Sequence, residues 1–267
     1  QYSGFQPFSE GVAVVQKKAF VNGWSEYTYG AVDKSGKLVI EATYPYLGNC
    51  RDGMISFKKD DKYGYIDKYG SLKIPATYYR AENFANGLAP VQATENDKYG
   101  YINTDNKFVI EPQYVEAASF YEGYASVYTE KKFYSYKNTT GADKMGVIDT
   151  KGKFIIPPIY QYISLKNNVG LFRVTKDSMQ GLIDSTGKMI LPVNNKGIGE
   201  FAAGIARVEK TAGMYGLVNA KGDWLLPADN NEVYSLYSNG GFYAKKDGKY
   251  TVYNNSMKVL IAADTAK

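Results

Sequence analysis

The segment YGYIDKYGSLKIP at residues 63–75 returns at residues 99–112 as YGYINTDNKFVIEP, and the fold follows from what the shared positions are for. In each copy an Asp or Asn lies three residues after the Gly of the YG pair, and a Gly or Asn lies three residues further on. An acid placed so could be a general base, or it could be the corner of a β-hairpin. Tracing the pattern along the whole chain separates the two. The first anchor recurs at Gly30, Gly64, Gly100, Gly146, Gly181 and Gly216, and in worn form at Thr251, at intervals near 35 residues with one of 46. The second recurs at Gly36, Gly70, Asn106, Gly152, Gly187 and Gly222, with Met257 as its worn copy. Upstream of most anchors stands an aromatic-x-x-Gly signal, as in Phe84/Gly87, Phe120/Gly123 and Phe201/Gly204.

Each unit reads as three short strands: one after the aromatic-x-x-Gly signal, one carrying YGYID or its equivalent, and an apolar run such as KLVI (37–40), KFVI (107–110) or KFII (153–156). The links between the second and third strands are DKSG, DKYG, NTDN, DTKG, DSTG, NAKG and NNSM. Asp or Asn opening such a link can accept backbone N–H groups ahead of it, and a closing Gly or Asn tolerates the left-handed conformation of a type I turn with a G1 bulge. Asp33, Asp67, Asn103, Asp149, Asp184, Asn219 and Asn254 are therefore read as turn residues, with Gly36, Gly70, Gly152, Gly187 and Gly222 closing the turns. The exchange of Asp for Asn supports this, since both cap a turn and only Asp could be a base. Pro75, Pro112, Pro157, Pro192 and Pro227 are expected to stop the third strands. The Gly inside the second strand should mark close approach of a ring or another backbone. Third strands look apolar on both faces, which implies that units stack, because a 35-residue unit buries too little surface to fold alone.

The expected architecture is all-β: a tandem array of about seven three-stranded antiparallel β-meander repeats, open and twisted, with a seven-bladed β-propeller as the alternative. The repeats fill a single array over residues 1–267, in units near 5–46, 47–80, 81–116, 117–162, 163–197, 198–233 and 234–267, the last a degenerate cap. The register of aromatic, Gly, hydrophobic, Asp or Asn, Gly, Lys and hydrophobic residues, followed by Pro and Tyr, resembles the WG (KWG) β-repeat proteins of bacteria over about residues 5–262. The Trp that names the family is Tyr here at Tyr29, Tyr63, Tyr99, Tyr215 and Tyr250, and Met145 or Gln180 elsewhere. The resemblance implies a β-rich bacterial repeat protein and brings no active site with it.

Composition narrows function. The chain has no His, which removes His-based triads and His metal sites. Cys50 is alone, so neither a disulfide framework nor a thiolate cluster is available. A formal charge of +5, spread rather than clustered, argues against nucleic acid. No apolar run reaches the length of a transmembrane segment. The start at Gln1 without Met suggests export, to a periplasmic, surface-anchored or secreted location. Neither a cofactor nor a metal is expected, and the chain is expected to be a monomer.

Two units carry insertions between their first and second strands, VQKKAFVNGWSEYTYG before Gly30 and YTEKKFYSYKNTTGADKMG before Gly146. Insertions at one position of a repeat commonly fall on its binding side. Phe20, Trp24, Tyr27, Phe133, Tyr134 and Tyr136, flanked by Lys17, Lys18, Lys131 and Lys132, are the candidate ligand-binding residues, for a protein partner or a glycan. The alternative is a long hairpin whose rings pack on their own unit. A glycosidase would need paired carboxylates. Glu10, Glu26, Glu116, Glu122 and Glu200 lie outside the turns, but no pair among them stands out. The sequence thus reads as a non-enzymatic binding or scaffold repeat protein of the bacterial envelope, with a carbohydrate or cell-wall binding module as the alternative.

Overall fold

A computed structural model describes residues 2–131, 133–134, 139–140, 143–164, 166–236, 241–254 and 256–262. Every regular element among them is a β-strand, and no helix is long and apolar enough to cross a membrane. The strands form a series of small antiparallel sheets, none closed into a barrel. By contacts the chain divides into two compact units, residues 1–142 with 146–154, and residues 143–145 with 155–267.

In the first unit the opening sheet runs in the order Gly4–Phe5, Val12–Val21, Trp24–Asp33, Leu38–Tyr44. The next holds Met54–Lys59, Lys62–Asp67 and Leu72–Tyr78, and the third holds Arg80–Ala81, Ala89–Gln92, Tyr99–Ile102 and Phe108–Tyr114. Most sheets therefore have four strands where three were expected. The extra strand is two residues long in most sheets and comes from the tail of the preceding segment. Leu72–Tyr78 completes one sheet, Tyr79 turns the corner, and Arg80–Ala81 pairs with Gln92 and Val91 of the next. One extended segment thus serves two sheets, which ties neighbours together through backbone hydrogen bonds as well as side chains.

The prolines do not stop the third strands. Pro75 lies inside Leu72–Tyr78, and Pro112, Pro157, Pro192 and Pro227 are likewise internal. The register explains how. Tyr63 pairs with Tyr78 but Tyr65 pairs with Ile74, so a bulge containing the proline stands opposite Gly64, and no ladder donor is needed there. This bulge also accounts for the glycine. A Cβ on Gly64 would sit 2.5 Å from the Ile74 carbonyl oxygen and 2.7 Å from the Ala76 nitrogen, so the backbone of its own sheet is the occupant there, while at Gly100 and Gly216 a ring, Phe108 at 2.9 Å or Trp224 at 2.7 Å, closes in beside the backbone.

Burial on both faces belongs to the first and second strands, not the third. Met54, Ile55, Ser56 and Phe57 are all buried, whereas the third strand is a sheet edge where Ile74 is buried and Leu72 is 60% exposed. Alternate faces feed alternate cores. Val12, Val14 and Ala31 pack on Ile55, Phe57 and Ile66; Met54, Tyr65 and Ile74 pack on Phe84, Val91 and Ile102; Tyr101, Ile110 and Tyr114 pack on Phe120, Val127 and Ile148.

The second unit repeats the scheme. Tyr162–Ile163, Leu171–Lys176, Met179–Asp184 and Met189–Asn195 form one sheet. Gly197–Ile198, Ile205–Thr211, Met214–Asn219 and Trp224–Asn230 form another, and Glu232–Leu236, Gly241–Lys246, Lys249–Tyr253 and Val259–Ile261 the last. Leu171 and Leu182 meet Ala206, Val208 and Val218, and Ile205 and Leu217 meet Val233, Phe242 and Ala244. A further four-stranded sheet is ordered Glu116–Ala117, Tyr124–Glu130, Lys144–Asp149, Phe154–Tyr160.

Sheet-to-sheet stapling changes chemistry along the chain. Tyr65 and Tyr101 donate their hydroxyls to the Glu82 and Ala118 carbonyls, at 2.7 and 2.8 Å. In the second unit the corresponding second-strand residues are Leu182 and Leu217, and an Arg from the first strand reaches across instead. Arg173 Nη1 donates to the Ile198 carbonyl at 2.5 Å, and Arg207 Nη1 to the Val233 carbonyl at 3.3 Å.

Candidate functional site

The recurring acids are held by their own turns. Asp67 Oδ1 accepts the N–H groups of Tyr69 and Ser71, both at 2.9 Å, while Gly70 N–H donates to the Asp67 carbonyl at φ +87°. Asp33, Asp149 and Asp184 make the same pair of bonds, as do Asn103, Asn219 and Asn254. Gly36, Gly152, Gly187 and Gly222 occupy the closing positions, all at positive φ. The bond from the Ser35 hydroxyl holds the Asp33 carboxyl below its ordinary pKa, and the Thr186 hydroxyl does so for Asp184. Slight burial pushes Asp67 the other way, but donation from Ser71, Tyr69 and Lys73 wins and lowers it too.

The other glutamates are dispersed. Glu10 is itself a turn residue at φ 50°, and its carboxylate accepts Asp52 N–H at 2.8 Å and Gly53 N–H at 2.7 Å. The contact is the first rung of a ladder: Asp52 Oδ2 accepts Gly87 N–H at 2.6 Å, and Asn86 Oδ1 accepts Gly123 N–H at 3.1 Å. Glu122 has the same positive φ, Glu26 is exposed opposite Ala19, and Glu200 pairs with Arg173 at 3.1 Å. Cys50 is buried, and burial together with the nearby Glu10 carboxylate pushes its thiol up to about 12, far from thiolate chemistry at neutral pH.

The first insertion is a ten-residue by ten-residue hairpin, Val12–Val21 paired with Trp24–Asp33, closed by Asn22 and Gly23 at φ 51° and 84°. Two residues at positive φ make the tight turn that suits a twisted hairpin. Its outer half, residues 17–27, is exposed throughout, so the rings do not pack on their own unit. Nor do the three candidate rings share a face. Phe20 pairs with Ser25 and Lys18 with Tyr27, which places Phe20 and Tyr27 on one side, while Trp24 pairs with Val21 on the other. Of the second insertion, Phe133–Tyr134 pairs with Thr139–Thr140, and Tyr136 lies outside the described residues.

A polar groove of about 570 Å³ lies in the first unit, lined by Tyr79, Arg80, Glu82, Gln92, Glu95, Tyr99 and Glu116. It forms where Arg80–Ala81 and Glu116–Ala117, the short opening strands of two successive sheets, leave the corner residues Tyr79 and Val115. Gln92 is buried, and its Nε2 donates to the Asp97 carbonyl at 2.7 Å and the Glu95 carbonyl at 3.2 Å, which fixes the loop that carries Glu95. Lys131 is ion-paired with Glu116, and Arg80 and Lys62 both sit over the Tyr79 ring. Burial raises the Tyr99 phenol; Arg80 opposes this, and Glu82 and Glu116 add to it. Of these residues the sequence marked Glu116 as a carboxylate outside the turns, Tyr99 as a stand-in for the family Trp and Lys131 as a flank of the second insertion, with nothing to join them. Gln92 has a counterpart in Gln16 of the first sheet, which pairs with Gly4 as Gln92 pairs with Arg80, and the polar stretch ATENDK (93–98) was the further signal. Among the described residues, no group of His, Cys, Asp and Glu is placed to hold a metal ion.

Small antiparallel sheets in tandem, with side-chain-capped turns at fixed register, define an all-β repeat protein. The chain belongs to the WG containing repeat family, whose model matches six times, at residues 29–63, 63–99, 99–133, 145–178, 181–211 and 215–250. No curated protein sequence matches it. Among solved structures it is similar to a eukaryotic initiation factor (13% identity, TM-score 0.44, covering 94% of this chain and 73% of that one). It is also similar to Hsv2p of Kluyveromyces lactis (9%, 0.41, 94% and 92%) and to an acylaminoacyl peptidase of Pyrococcus horikoshii (8%, 0.40, 99% and 52%). At these scores the likenesses carry no argument about function.

Proposed function

We propose that the chain is a non-enzymatic binding protein of the bacterial envelope that offers the groove between Arg80 and Glu116 to a protein partner. The groove is the observation that carries this reading. Its walls present charge of both signs, Arg80 beside Glu82, Glu95 and Glu116, with the Tyr79 and Tyr99 rings in the same lining. A polypeptide supplies both signs in return, and such charges choose a partner more than they add affinity. The engagement of Asp33, Asp67, Asp149, Asp184 and Glu10 by backbone N–H groups supports a binding role over catalysis. A short glycan is the second reading, favoured by the Tyr79 and Tyr99 rings that line the groove together with the buried Gln92.

The test is retention of envelope proteins, and separately of a glycan panel, by the immobilised chain. The charge reversals Arg80→Glu and Glu82→Lys should release a retained protein while thermal unfolding stays unchanged. Retention that survives both substitutions refutes the groove, and retention of glycans alone transfers the reading to them. Cell fractionation checks the envelope location, and recovery in the cytosol refutes it.

A further inference from the structure

We infer that the tip of the first hairpin inserts into the interface of an anionic lipid bilayer. Phe20, Val21 and Trp24 surround the Asn22–Gly23 turn and are 74%, 39% and 79% exposed. The register puts Phe20 on one face of the hairpin and Val21 with Trp24 on the other. A protein partner covers one face of such a ribbon and leaves the opposite rings in water. A bilayer interface surrounds the tip and takes both faces at once, and it is the medium in which Trp and Phe side chains settle. Lys17 and Lys18 also lie on opposite faces, Lys18 over the ring of Tyr27. At the rise of an extended strand they stand roughly 7–13 Å behind Phe20 and Val21. Interfacial segments sink about 5–10 Å, so the two ammonium groups arrive at headgroup level on both sides. Glu26 offsets one of them, leaving a net single positive charge on the exposed half of the hairpin. This inference does not rest on the groove.

Sedimentation with lipid vesicles tests it, using phosphatidylcholine alone and phosphatidylcholine with phosphatidylglycerol. The chain should partition onto both, about fivefold more strongly onto the anionic vesicles, the gain one net lysine gives near such a surface. Trp24 emission should shift to the blue and be quenched by brominated lipid, isolated from Trp224 by difference against Trp24→Phe. Phe20→Ser and Trp24→Ser should each lower partitioning about tenfold, since withdrawing one large apolar side chain from water is worth at least that factor. Their β-sheet circular dichroism should match the parent, because both side chains are exposed. Lys17→Gln alone, which leaves Lys18 balanced by Glu26, should abolish the anionic preference, whereas Arg80→Glu should change nothing. A parent that ignores both vesicle types overturns the inference, as does a Phe20→Ser/Trp24→Ser variant that binds them undiminished. Blue-shifted Trp24 with envelope protein but not with vesicles overturns it in favour of a protein contact.

Discussion

Tyr78 and Tyr114 hold the same register position in successive sheets, paired with Tyr63 and Tyr99, yet removing their hydroxyls should have opposite effects. The Tyr78 hydroxyl donates to Asn106 Oδ1 at 2.6 Å, reaching the turn of the next sheet. In the sheet after that the same turn position is Gly152, which has no side chain to accept. Tyr114 is 1% exposed, and its hydroxyl has no hydrogen-bond partner among the described residues. Tyr78→Phe loses one hydrogen bond, but the exposed Asn106 returns its oxygen to water, so the cost is about 1 kcal/mol. Tyr114→Phe removes a buried hydroxyl whose desolvation nothing offsets, and should stabilise by about 1 kcal/mol. Urea unfolding followed by circular dichroism reads both, since both tyrosines belong to the first contact unit and report on the same transition. In an Asn106→Gly background, Tyr78→Phe should lose its cost, which closes a double-mutant cycle. A Tyr114→Phe variant as destabilised as Tyr78→Phe refutes the reasoning.

Gly64→Ala should cost about 3 kcal/mol or more, because the new methyl meets only backbone at 2.5–2.7 Å. Gly53→Ala, at φ +73° with nothing within 4 Å, should cost only about 1–2 kcal/mol of left-handed strain. Equal midpoints for the two would contradict the bulge account. Because Asp33, Asp67 and Asp184 have depressed native pKa values, their contribution is complete above the unfolded value of about 4 and is lost as pH falls through the native values. The triple Asp→Asn variant keeps each acceptor oxygen and should lose less stability than the parent on acidification from about pH 6 to about pH 3. Identical acid sensitivity would remove those carboxylates from the account. Cys50 should resist iodoacetamide near neutral pH in the folded chain and react once urea unfolds it, and fast labelling of the native protein would show that the thiol is open.

Much of this fold is legible in single residues. Asp67 and Gly70 declare their turn because the bonds involved are local, to Tyr69 and Ser71. The same holds for the alternation of Asp with Asn, since an acceptor oxygen is all that the turn needs. Pro75 misled for a related reason: its missing N–H ends a regular ladder, and only the register Tyr63 to Tyr78 reveals a bulge that spares it. Gly64 pointed correctly to a close approach, but what approaches it is set by that same bulge.

The hairpin shows the limit from the other side. Phe20, Trp24 and Tyr27 are visible as an aromatic insertion, but which face each takes depends on cross-strand pairing, where a shift of one residue exchanges the two sides. The groove was further out of reach. Arg80, Gln92 and Glu116 come from two successive sheets, and nothing local in the chain brings them together. The amino-acid order by itself determined the repeat, the turns and the family, because each is written within about 35 residues. Only the tertiary structure decided the fourth strands, the carbonyl staples by Tyr or Arg, and the groove, because those arise where one sheet's backbone meets the next.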